Sequence, residues 1–398
     1  MDHRDQSISR RSMLVGGTAI ALGALTQAPR VPAFAPAAPS APADREQRAD
    51  LAERAIVARY VRPLWGHPRK RLGTMVWPAS VYDRLFLRWN YWWQAHLLDC
   101  AVDAAYRERT PERVDRVVAV ARGIHTRNLT GWTNRYYDDM AWLILAIERA
   151  ERLLGVQLGT AVGDLKSALI GGISPVVGAV PWRHGDDFFN TPAIGPTGIA
   201  MTRLGELSRA GQLADFLRTR LCDADSGLTL DGVHEPGGLL NRTTHTYCQG
   251  VTIGLETELA TRTGGSGHHF RVSELVAATE DRLTESGVIA GAAADDSGLF
   301  MGILARYLAE AALALGDVIA ADIVHTSARA AWEHRGEVDG LPLFGMDWTR
   351  PVVADPRTVV RHTASAADRR PNLSCDLSVQ LSAWMLLEAD YQLIAAGL

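Results

Sequence analysis

From residue 44 onward, the chain follows the hydrophobic period of an α-helix almost throughout, and this pattern restricts the folds that it can adopt. Apolar residues recur at spacings of three and four, which places them on one face of a helix. No alternating strand pattern extends over more than a few residues. The periodicity predicts helices near residues 46–62, 80–107, 111–123, 135–154, 160–170, 196–208, 211–221, 246–262, 270–284, 297–315, 317–334 and 374–395.

These segments are separated by glycine, proline, asparagine and aspartate residues, which interrupt helices. About twelve helices in six hairpins predict an all-α toroid, in which outer helices cover the inner ones. An open helical solenoid is the alternative. Because no fixed repeat length is present and the helices vary in length, we favour the closed toroid, formed as a single domain by residues 44–398.

The first 43 residues have the features of an export signal rather than of a folded segment. The pair Arg10-Arg11 precedes an apolar stretch from Met13 to Leu25 that is too short for a stable membrane span. A Pro/Ala-rich linker follows, and small residues favour cleavage near Ala43. We expect a twin-arginine signal, which sends folded proteins to the cell envelope or the exterior through the twin-arginine machinery. A chance arginine pair before an apolar stretch is the alternative.

Charge and cysteine content exclude several classes of function. The net charge is −4 and the isoelectric point is near 6.3, so we expect no basic field for nucleic acid or an anionic membrane. The cysteines form no CxxC pair and are too scattered for a zinc site, although one or two disulfides are possible in an exported protein. They are Cys100, Cys222, Cys248 and Cys375.

The strongest chemical signal is the adjacent pair Asp138-Asp139, which follows Tyr136 and Tyr137 and opens an apolar helical run. Paired carboxylates cleave glycosidic bonds, one as an acid and the other as a nucleophile or base. Neighbouring like charges separate their pKa values, which suits those two roles. The alternative is a helix N-terminus, where aspartate accepts hydrogen bonds from free backbone N–H groups.

Aromatic residues accompany this pair in two other places. Trp89, Trp92, Trp93 and His96 lie at spacings of three and four, and therefore share one face of the predicted second helix. That face either packs in the core or forms a platform for a sugar ring. A second aromatic and acidic cluster at residues 181–190 either lines a polar cleft or forms a solvated turn.

Two long polar loops, at residues 173–197 and 223–246, are expected to carry function, because loops of this length in a compact domain seldom serve only as connections. A third loop runs over residues 335–374. Asp231 lies within the second loop, and Gln249 follows it. Asp231 with Gly232 is ordinary turn chemistry, and Gln249 at a helix start either contacts a substrate or caps the helix.

Taken together, these motifs resemble glycoside hydrolase family 76, the endo-α-1,6-mannanases, over most of the chain from about Tyr82 to the C-terminus. The most specific string is Tyr-Asp-Asp-Met-Ala-Trp at residues 137–142, and the other motifs are moderate. Those other motifs are residues 91–96, 190–196, 227–228 with 231–232, 246–250 and 300–308.

The resemblance implies an (α/α)6 barrel and a retaining mechanism, with Asp138 as nucleophile and Asp139 as general acid/base. Retaining enzymes hold their carboxyl groups about 5–5.5 Å apart, a separation that adjacent residues reach more readily than the 6.5–9.5 Å of inverting enzymes. Where the family tends to have asparagine, this chain has Ile194 and Cys248, so two amides that could hydrogen-bond sugar hydroxyls are absent.

We therefore expect an exported, monomeric hydrolase of α-1,6-mannan-like polysaccharide that needs no metal or other cofactor and binds no nucleic acid. Transfer of the sugar to another glycan, or glycan binding without catalysis, are the alternatives. The candidate substrate-binding residues are Tyr136, Tyr137, Trp92, Trp93, His96 and Trp132, with Asp231 and Gln249 as weaker candidates.

Overall fold

A computed structural model describes residues 42–291, 297–352 and 375–398. The described residues contain thirteen α-helices: α1 Pro42–Arg59, α2 Val81–Arg84, α3 Tyr91–Arg107, α4 Pro111–Arg127, α5 Tyr137–Leu154, α6 Ala161–Gly172, α7 Thr191–Arg203, α8 Leu207–Arg220, α9 Thr246–Thr263, α10 Ser266–Leu283, α11 Phe300–Leu315, α12 Val318–Glu333 and α13 Leu377–Ala395. Within this part of the chain, no helix combines the length and the apolar character that crossing a membrane requires.

Six of the helices form a closed inner ring. Helices α3, α5, α7, α9, α11 and α13 each pack against the next, and α13 returns to pack against α3. Helices α4, α6, α8, α10 and α12 cover the inner helix that precedes each of them, and α1 covers α13. The predicted toroid is therefore confirmed, and the closure between α13 and α3 excludes an open solenoid.

The sequences of the helices explain this division. On α13, every residue from Leu377 to Asp390 is buried, as expected for a helix that is surrounded on all sides. Outer helix α4 buries one stripe that includes Val117, Val120 and Ile124, at spacings of three and four, and leaves its other face to solvent. Apolar periodicity thus assigns α4 to the outer layer and α13 to the inner ring.

Charged residues also occupy the centre of the ring. Asp103 on α3 accepts hydrogen bonds from Arg149 on α5 and from Arg306 on α11, and Asp99 pairs with the same two arginines. Two aspartates and two arginines balance in charge, which offsets the cost of removing them from water. This network links three inner helices below their N-terminal ends.

In the described ranges, nine short strands lie between the helices, mostly as hairpins. They are β1 Val61–Leu64, β2 His67–Gly73, β3 Phe188–Asn190, β4 Gly232–His234, β5 Leu239–Asn241, β6 Thr284–Glu285, β7 Val288–Ile289, β8 Gly336–Val338 and β9 Leu341–Leu343. The seven-residue β2 was not predicted, because its sequence does not alternate between apolar and polar residues and only its pairing with β1 makes it a strand.

The predicted helix over residues 80–107 is two helices in the structure. Helix α2 ends at Arg84, Phe86 takes a left-handed backbone conformation with φ 54°, and α3 begins only at Tyr91. A non-glycine residue with positive φ interrupts a helix. The prediction that Trp89 shares a helix face with the residues after it is therefore wrong, because Trp89 precedes the helix.

The long loops and the cysteines also differ in detail from expectation. The loop over residues 173–197 ends early, because α7 begins at Thr191, and the loop over residues 223–246 contains β4 and β5. All four cysteines lie in the described part of the chain and are free thiols. Part of the third loop, residues 353–374, and nearly all of the predicted signal and linker lie outside the described residues.

Candidate active site

The inner helices bring their N-terminal ends together around one cavity of about 760 Å³. Residues at or just before the starts of α3, α5, α7, α9 and α11 line it. The lining residues are Trp89, Asn90, Tyr91, Trp92, Asn128, Asn134, Arg135, Tyr136, Asp138, Asp139, Trp142, Trp182, Phe188, Asn190, Asp231, Tyr247 and Phe300. Helix N-termini carry partial positive charge, so this end of the barrel favours carboxylates and other electron-rich groups.

The two adjacent aspartates stand in the first turn of α5, on the cavity wall. Asp138 Oδ1 accepts a hydrogen bond from the Asp139 backbone N–H at 2.8 Å, and its Oδ2 accepts one from the Trp182 indole N–H at 3.0 Å. Asp139 Oδ2 accepts a hydrogen bond from the Asn134 side-chain amide at 2.7 Å. Successive helical residues are rotated by about 100°, and each of the two carboxyl groups has its own donors.

The loop before α7 is what brings Trp182 to Asp138. Tyr137 N donates to Trp182 O at 2.9 Å, and His184 N donates to Arg135 O at 2.8 Å, so the loop runs alongside the residues that precede α5. The ring of Tyr136 meets the ring of Trp182 edge-on at 5.4 Å. Backbone pairing, rather than side-chain packing alone, therefore fixes the indole donor relative to the carboxylate.

Aromatic rings form another part of the wall. Tyr247 at the start of α9 stacks in parallel on Phe300 at the start of α11, with ring centroids 3.7 Å apart, and Trp92 approaches Phe300 at 6.3 Å. Trp142 lines the cavity deeper along α5. Flat apolar faces beside carboxylates are the usual surroundings of a bound sugar ring.

A second acidic corner lies at Asp231, where the pairing of β3 with β4 sets Asn190 opposite Gly232. The Asn241 amide donates to Asp231 Oδ2 at 2.7 Å. Burial raises the pKa of the Asp231 carboxyl, although nearby His245 and hydrogen bonds from Cys248 and Tyr247 act in the opposite direction. Burial also lowers the pKa of His245. This corner therefore holds a carboxyl group that is less acidic than usual, at the edge of the cavity.

Five of the ten predicted site residues line the cavity, and five lie elsewhere. Those in the lining are Asp138, Asp139, Tyr136, Trp92 and Asp231. Those outside the lining are Tyr137, Trp93, His96, Trp132 and Gln249.

Tyr137, Trp93 and His96 are buried in the core. The Tyr137 ring packs against Gly172, where a Cβ atom would lie only 2.2 Å from it. His96 lies behind the cavity between Trp92 and Trp142, and burial lowers the pKa of its imidazole to about 3. Neutral His96 supports the floor of the cavity rather than reaching into it.

The other two residues outside the lining have partners of their own. Gln249 is fully buried and binds Thr229 twice, accepting from its N–H at 2.7 Å and donating to its carbonyl at 2.8 Å. Trp132 packs on the His125 ring at 4.5 Å. Gln249 therefore ties the loop at residue 229 to α9, and neither side chain lines the cavity.

Asn134 and Asn190 are not among the ten predicted site residues, although Asn190 belongs to the cluster at residues 181–190 for which a polar cleft is one interpretation. Asn190 is 5% exposed, lines the cavity, and its Oδ1 has no hydrogen-bond partner among the described residues. Asn190 immediately precedes α7, and Asn134 lies three residues before α5. Tyr247 and Phe300 lie at the starts of α9 and α11, and Trp182 lies beside the start of α5 in space. The common signal is proximity to an inner-helix N-terminus, which becomes visible only when the inner helices are known.

The two departures from the family pattern lie outside the lining. Ile194 and Cys248 are both fully buried. The Cys248 thiol lies 3.9 Å from Asp231 Oδ1 and reaches the cavity only through that carboxylate.

The sequence comparisons give one match. The model of glycosyl hydrolase family 76 matches residues 171–369, which is half of the chain and begins after the two aspartates. No sequence among curated proteins matches the chain.

Solved structures resemble the chain over most of its length. The GH76A α-1,6-mannanase of Salegentibacter sp. HEL1_6 is 25% identical, with a TM-score of 0.75, over 88% of this chain and 100% of that one. The Lin0763 protein of Listeria innocua is 23% identical, with a TM-score of 0.76, over 88% and 98%. The family 76 mannosidase Bt3792 of Bacteroides thetaiotaomicron is 15% identical, with a TM-score of 0.69, over 89% and 100%. The last two likenesses concern the fold alone.

Proposed function

Because the chain belongs to glycosyl hydrolase family 76 and is therefore a glycoside hydrolase, we propose that it cleaves α-1,6-mannosidic linkages of a mannan-type polysaccharide with retention of configuration. Asp138 is the nucleophile and Asp139 the general acid/base. The observation that carries the proposal is the position of this pair, on the wall of the cavity at the N-terminal end of α5.

A relative supports the choice of this pair. An inactive variant of the Salegentibacter mannanase, with two consecutive aspartates replaced by asparagine, was solved in complex with α-1,6-mannotriose. This chain has three consecutive aspartate pairs, at residues 138–139, 186–187 and 295–296. Residues 295–296 lie outside the described part. Asp186 is bound by Arg183 and Asp187 is exposed beside His234, and neither lines the cavity. Of the two pairs in the described part of the chain, the one at residues 138–139 lines the cavity.

The proposed reaction has two steps. Asp138 attacks the anomeric carbon while the glycosidic bond breaks, and the leaving oxygen takes a proton from Asp139. Asp139, now a carboxylate, removes a proton from water, and the resulting hydroxyl displaces Asp138 from the anomeric carbon. Two inversions give overall retention, so an α-linked substrate yields an α product. The two N–H donors to Asp138 favour its charged form, which is the form needed for attack and for departure.

The walls of the cavity suit a chain of neutral sugars. Trp92, Tyr136 and the Tyr247–Phe300 pair offer flat apolar faces, and Asn190 and Asp231 offer hydrogen-bonding groups to hydroxyls. We assign Asn190 to substrate binding because its buried carbonyl oxygen gains a partner when a sugar hydroxyl donates to it. This chemistry requires no metal ion. Transfer to a second sugar would use the same covalent intermediate, with the acceptor hydroxyl in place of water.

The test uses purified protein with linear α-1,6-mannan, with sizing of the products and NMR of the new anomeric centre. We expect short oligosaccharides that appear first in the α form. Asp138→Asn and Asp139→Asn should each lower kcat by several orders of magnitude, whereas Asp187→Asn, at an exposed aspartate outside the cavity lining, should retain wild-type rates. Products that appear first in the β form would exclude retention, and an active Asp138→Asn variant would exclude this nucleophile.

We also propose that Arg10 and Arg11 direct export by the twin-arginine pathway and that the enzyme acts as a monomer outside the cytoplasm. In a bacterial host that carries this machinery, the full chain should reach the envelope or the medium. The double variant Arg10→Lys/Arg11→Lys should stay inside. Unchanged export of that variant would contradict the assignment.

A further inference from the structure

Five large apolar side chains on one stretch of the chain are exposed to solvent. They are Trp65, Val81, Tyr82, Leu85 and Leu87, with exposed fractions between 47% and 65%. We call this group the Trp65 surface. Scattered single apolar residues are ordinary on a protein surface, whereas a cluster marks a site of interaction.

The backbone presents Trp65 at a conformational cost. Trp65 and Gly66 form the turn between β1 and β2, and both have positive φ, 49° and 79°. Asparagine or glycine is the favoured residue at the first of these positions, because a bulky side chain is strained there. The Trp65 indole N–H donates to Leu85 O at 2.9 Å, which ties the tip of the hairpin to α2. A strained position that exposes the largest side chain is better explained by a partner than by stability.

The same stretch is strongly basic. Residues 61–90 contain six basic residues and one acidic residue, a net charge of +5 in a chain whose net charge is −4. The single acidic residue, Asp83, is buried, caps α2 and pairs with Arg88. The basic residues are Arg62, Arg69, Lys70, Arg71, Arg84 and Arg88. The net charge of the whole chain conceals this local concentration.

The Trp65 surface adjoins the active-site cavity. The stretch that carries it continues directly into Trp89 and Asn90, which line the cavity. Arg127 connects the two, because its guanidinium donates to Phe86 O at 2.8 Å and lies over the Trp89 ring at 4.9 Å. A partner that covers the Trp65 surface is therefore next to the cavity.

We propose that the Trp65 surface docks the enzyme on an anionic lipid bilayer. Tryptophan and tyrosine suit the boundary between headgroups and acyl chains, leucine and valine enter the acyl region, and surrounding arginine and lysine pair with anionic headgroups. This goes beyond the proposed hydrolysis and does not depend on it. Docking sets the cavity beside the glycans that lie closest to the bilayer.

Two other occupants fit the surface less well. A neutral mannan has no anionic groups to pair with the net charge of +5. Aliphatic side chains such as Val81 and Leu85 do not provide flat faces for sugar rings. A second copy of the chain in a two-fold symmetric dimer would bring two such basic stretches face to face, and like charges repel. An anionic bilayer satisfies both the apolar and the charged parts.

The test measures co-flotation of the full-length purified protein with vesicles. One set contains phosphatidylcholine and phosphatidylglycerol at 70:30, and the other contains phosphatidylcholine alone. We expect at least about tenfold stronger partitioning to the anionic vesicles, weakened by high salt. The double variants Trp65→Ser/Leu87→Ser and Arg69→Glu/Lys70→Glu should each bind the anionic vesicles about tenfold or more weakly than the wild type.

Matched controls come from the outer helix α10. Phe270→Ser and Arg282→Glu alter an exposed aromatic and an exposed arginine on α10 and should leave vesicle binding unchanged. All variants should hydrolyse a soluble α-1,6-mannooligosaccharide at wild-type rates. If the wild type itself does not hydrolyse this oligosaccharide, the proposed function is refuted, whereas the vesicle-binding result still stands.

Three results would overturn the proposal. The first is equal binding to neutral and anionic vesicles, or none to either. The second is a dimer in solution that Trp65→Ser converts to a monomer, which would make the surface a self-association interface. The third is a higher KM for long mannan in Trp65→Ser with unchanged vesicle binding, which would make it a glycan platform.

Discussion

Replacement of Trp182 by phenylalanine tests how the site controls its nucleophile. The indole N–H donates to Asp138 Oδ2 at 3.0 Å. Phenylalanine retains most of the ring, and with it the packing against Tyr136, but removes the donor. The perturbation is therefore confined to one hydrogen bond to a carboxylate.

The size of the effect follows from the energy of that bond. Hydrogen bonds to charged groups contribute about 1.5–3 kcal/mol, and partial exposure of this pair favours the lower end. A loss of about 1.4 kcal/mol lowers the rate about tenfold. The loss of the donor disfavours the charged form, so the acidic limb of the activity profile should move to higher pH.

The assay is kcat/KM for a soluble α-1,6-mannooligosaccharide as a function of pH. Trp384→Phe is the matched control, because the Trp384 indole donates to a buried carboxylate, Glu388, at 2.9 Å and does not line the cavity. That variant should lose stability and keep the acidic limb in place. If Trp182→Phe has a wild-type rate and an unmoved acidic limb, Asp138 is not controlled by this bond and its role as nucleophile loses support.

Three further predictions concern buried polar groups. Burial lowers the pKa of His96 to about 3 in the folded protein, so only the unfolded chain gains a proton at this residue as the pH falls from about 6.5 to about 3. Over that range, the contribution of His96 to the free energy of unfolding should fall by roughly 1.4 kcal/mol per pH unit. The difference in unfolding free energy between wild type and His96→Phe measures this contribution, and a difference that does not vary with pH would contradict the prediction. Burial raises the pKa of Asp231, so the wild type should lose stability relative to Asp231→Asn as the pH rises from the pKa of the unfolded chain through that of the folded protein. Chemical denaturation of both proteins at pH 4 and pH 7 gives the sign of this change. A gain in the relative stability of the wild type at pH 7 would refute the prediction. Asn190→Ala should lower kcat/KM by about 5–30-fold through the loss of one or more hydrogen bonds to substrate, and an unchanged kcat/KM with a folded variant would remove Asn190 from the site.

The pair Asp138-Asp139 and the helices around it could be predicted because the information is local. Helical periodicity depends on side chains three and four residues apart, and adjacent carboxylates are visible without a fold. The same local reasoning could not separate Tyr136, which lines the cavity, from Tyr137, which is buried in the core. The packing of α5 against α6 decides which side of the chain faces the cavity.

The break before α3 is a second local failure with a tertiary cause. The residues from Leu85 to Asn90 have helical composition, yet Phe86 takes a positive φ and is fully buried. Arg127 from α4 and Trp65 from the hairpin both donate to backbone carbonyls in this segment. Contacts from distant parts of the chain therefore replace the helical hydrogen bonds that the sequence alone would predict.

By itself, the sequence determined that the protein is helical and that two carboxylates begin one of its helices, because each of these properties depends on near neighbours. Only the tertiary structure decided that Trp182, forty-four residues away, donates to Asp138, and that Asn190 and Asp231 meet the same cavity. The physical reason is ring closure. Once α13 packs against α3, the N-terminal ends of the inner helices must converge, and residues that are far apart in sequence become the walls of one site.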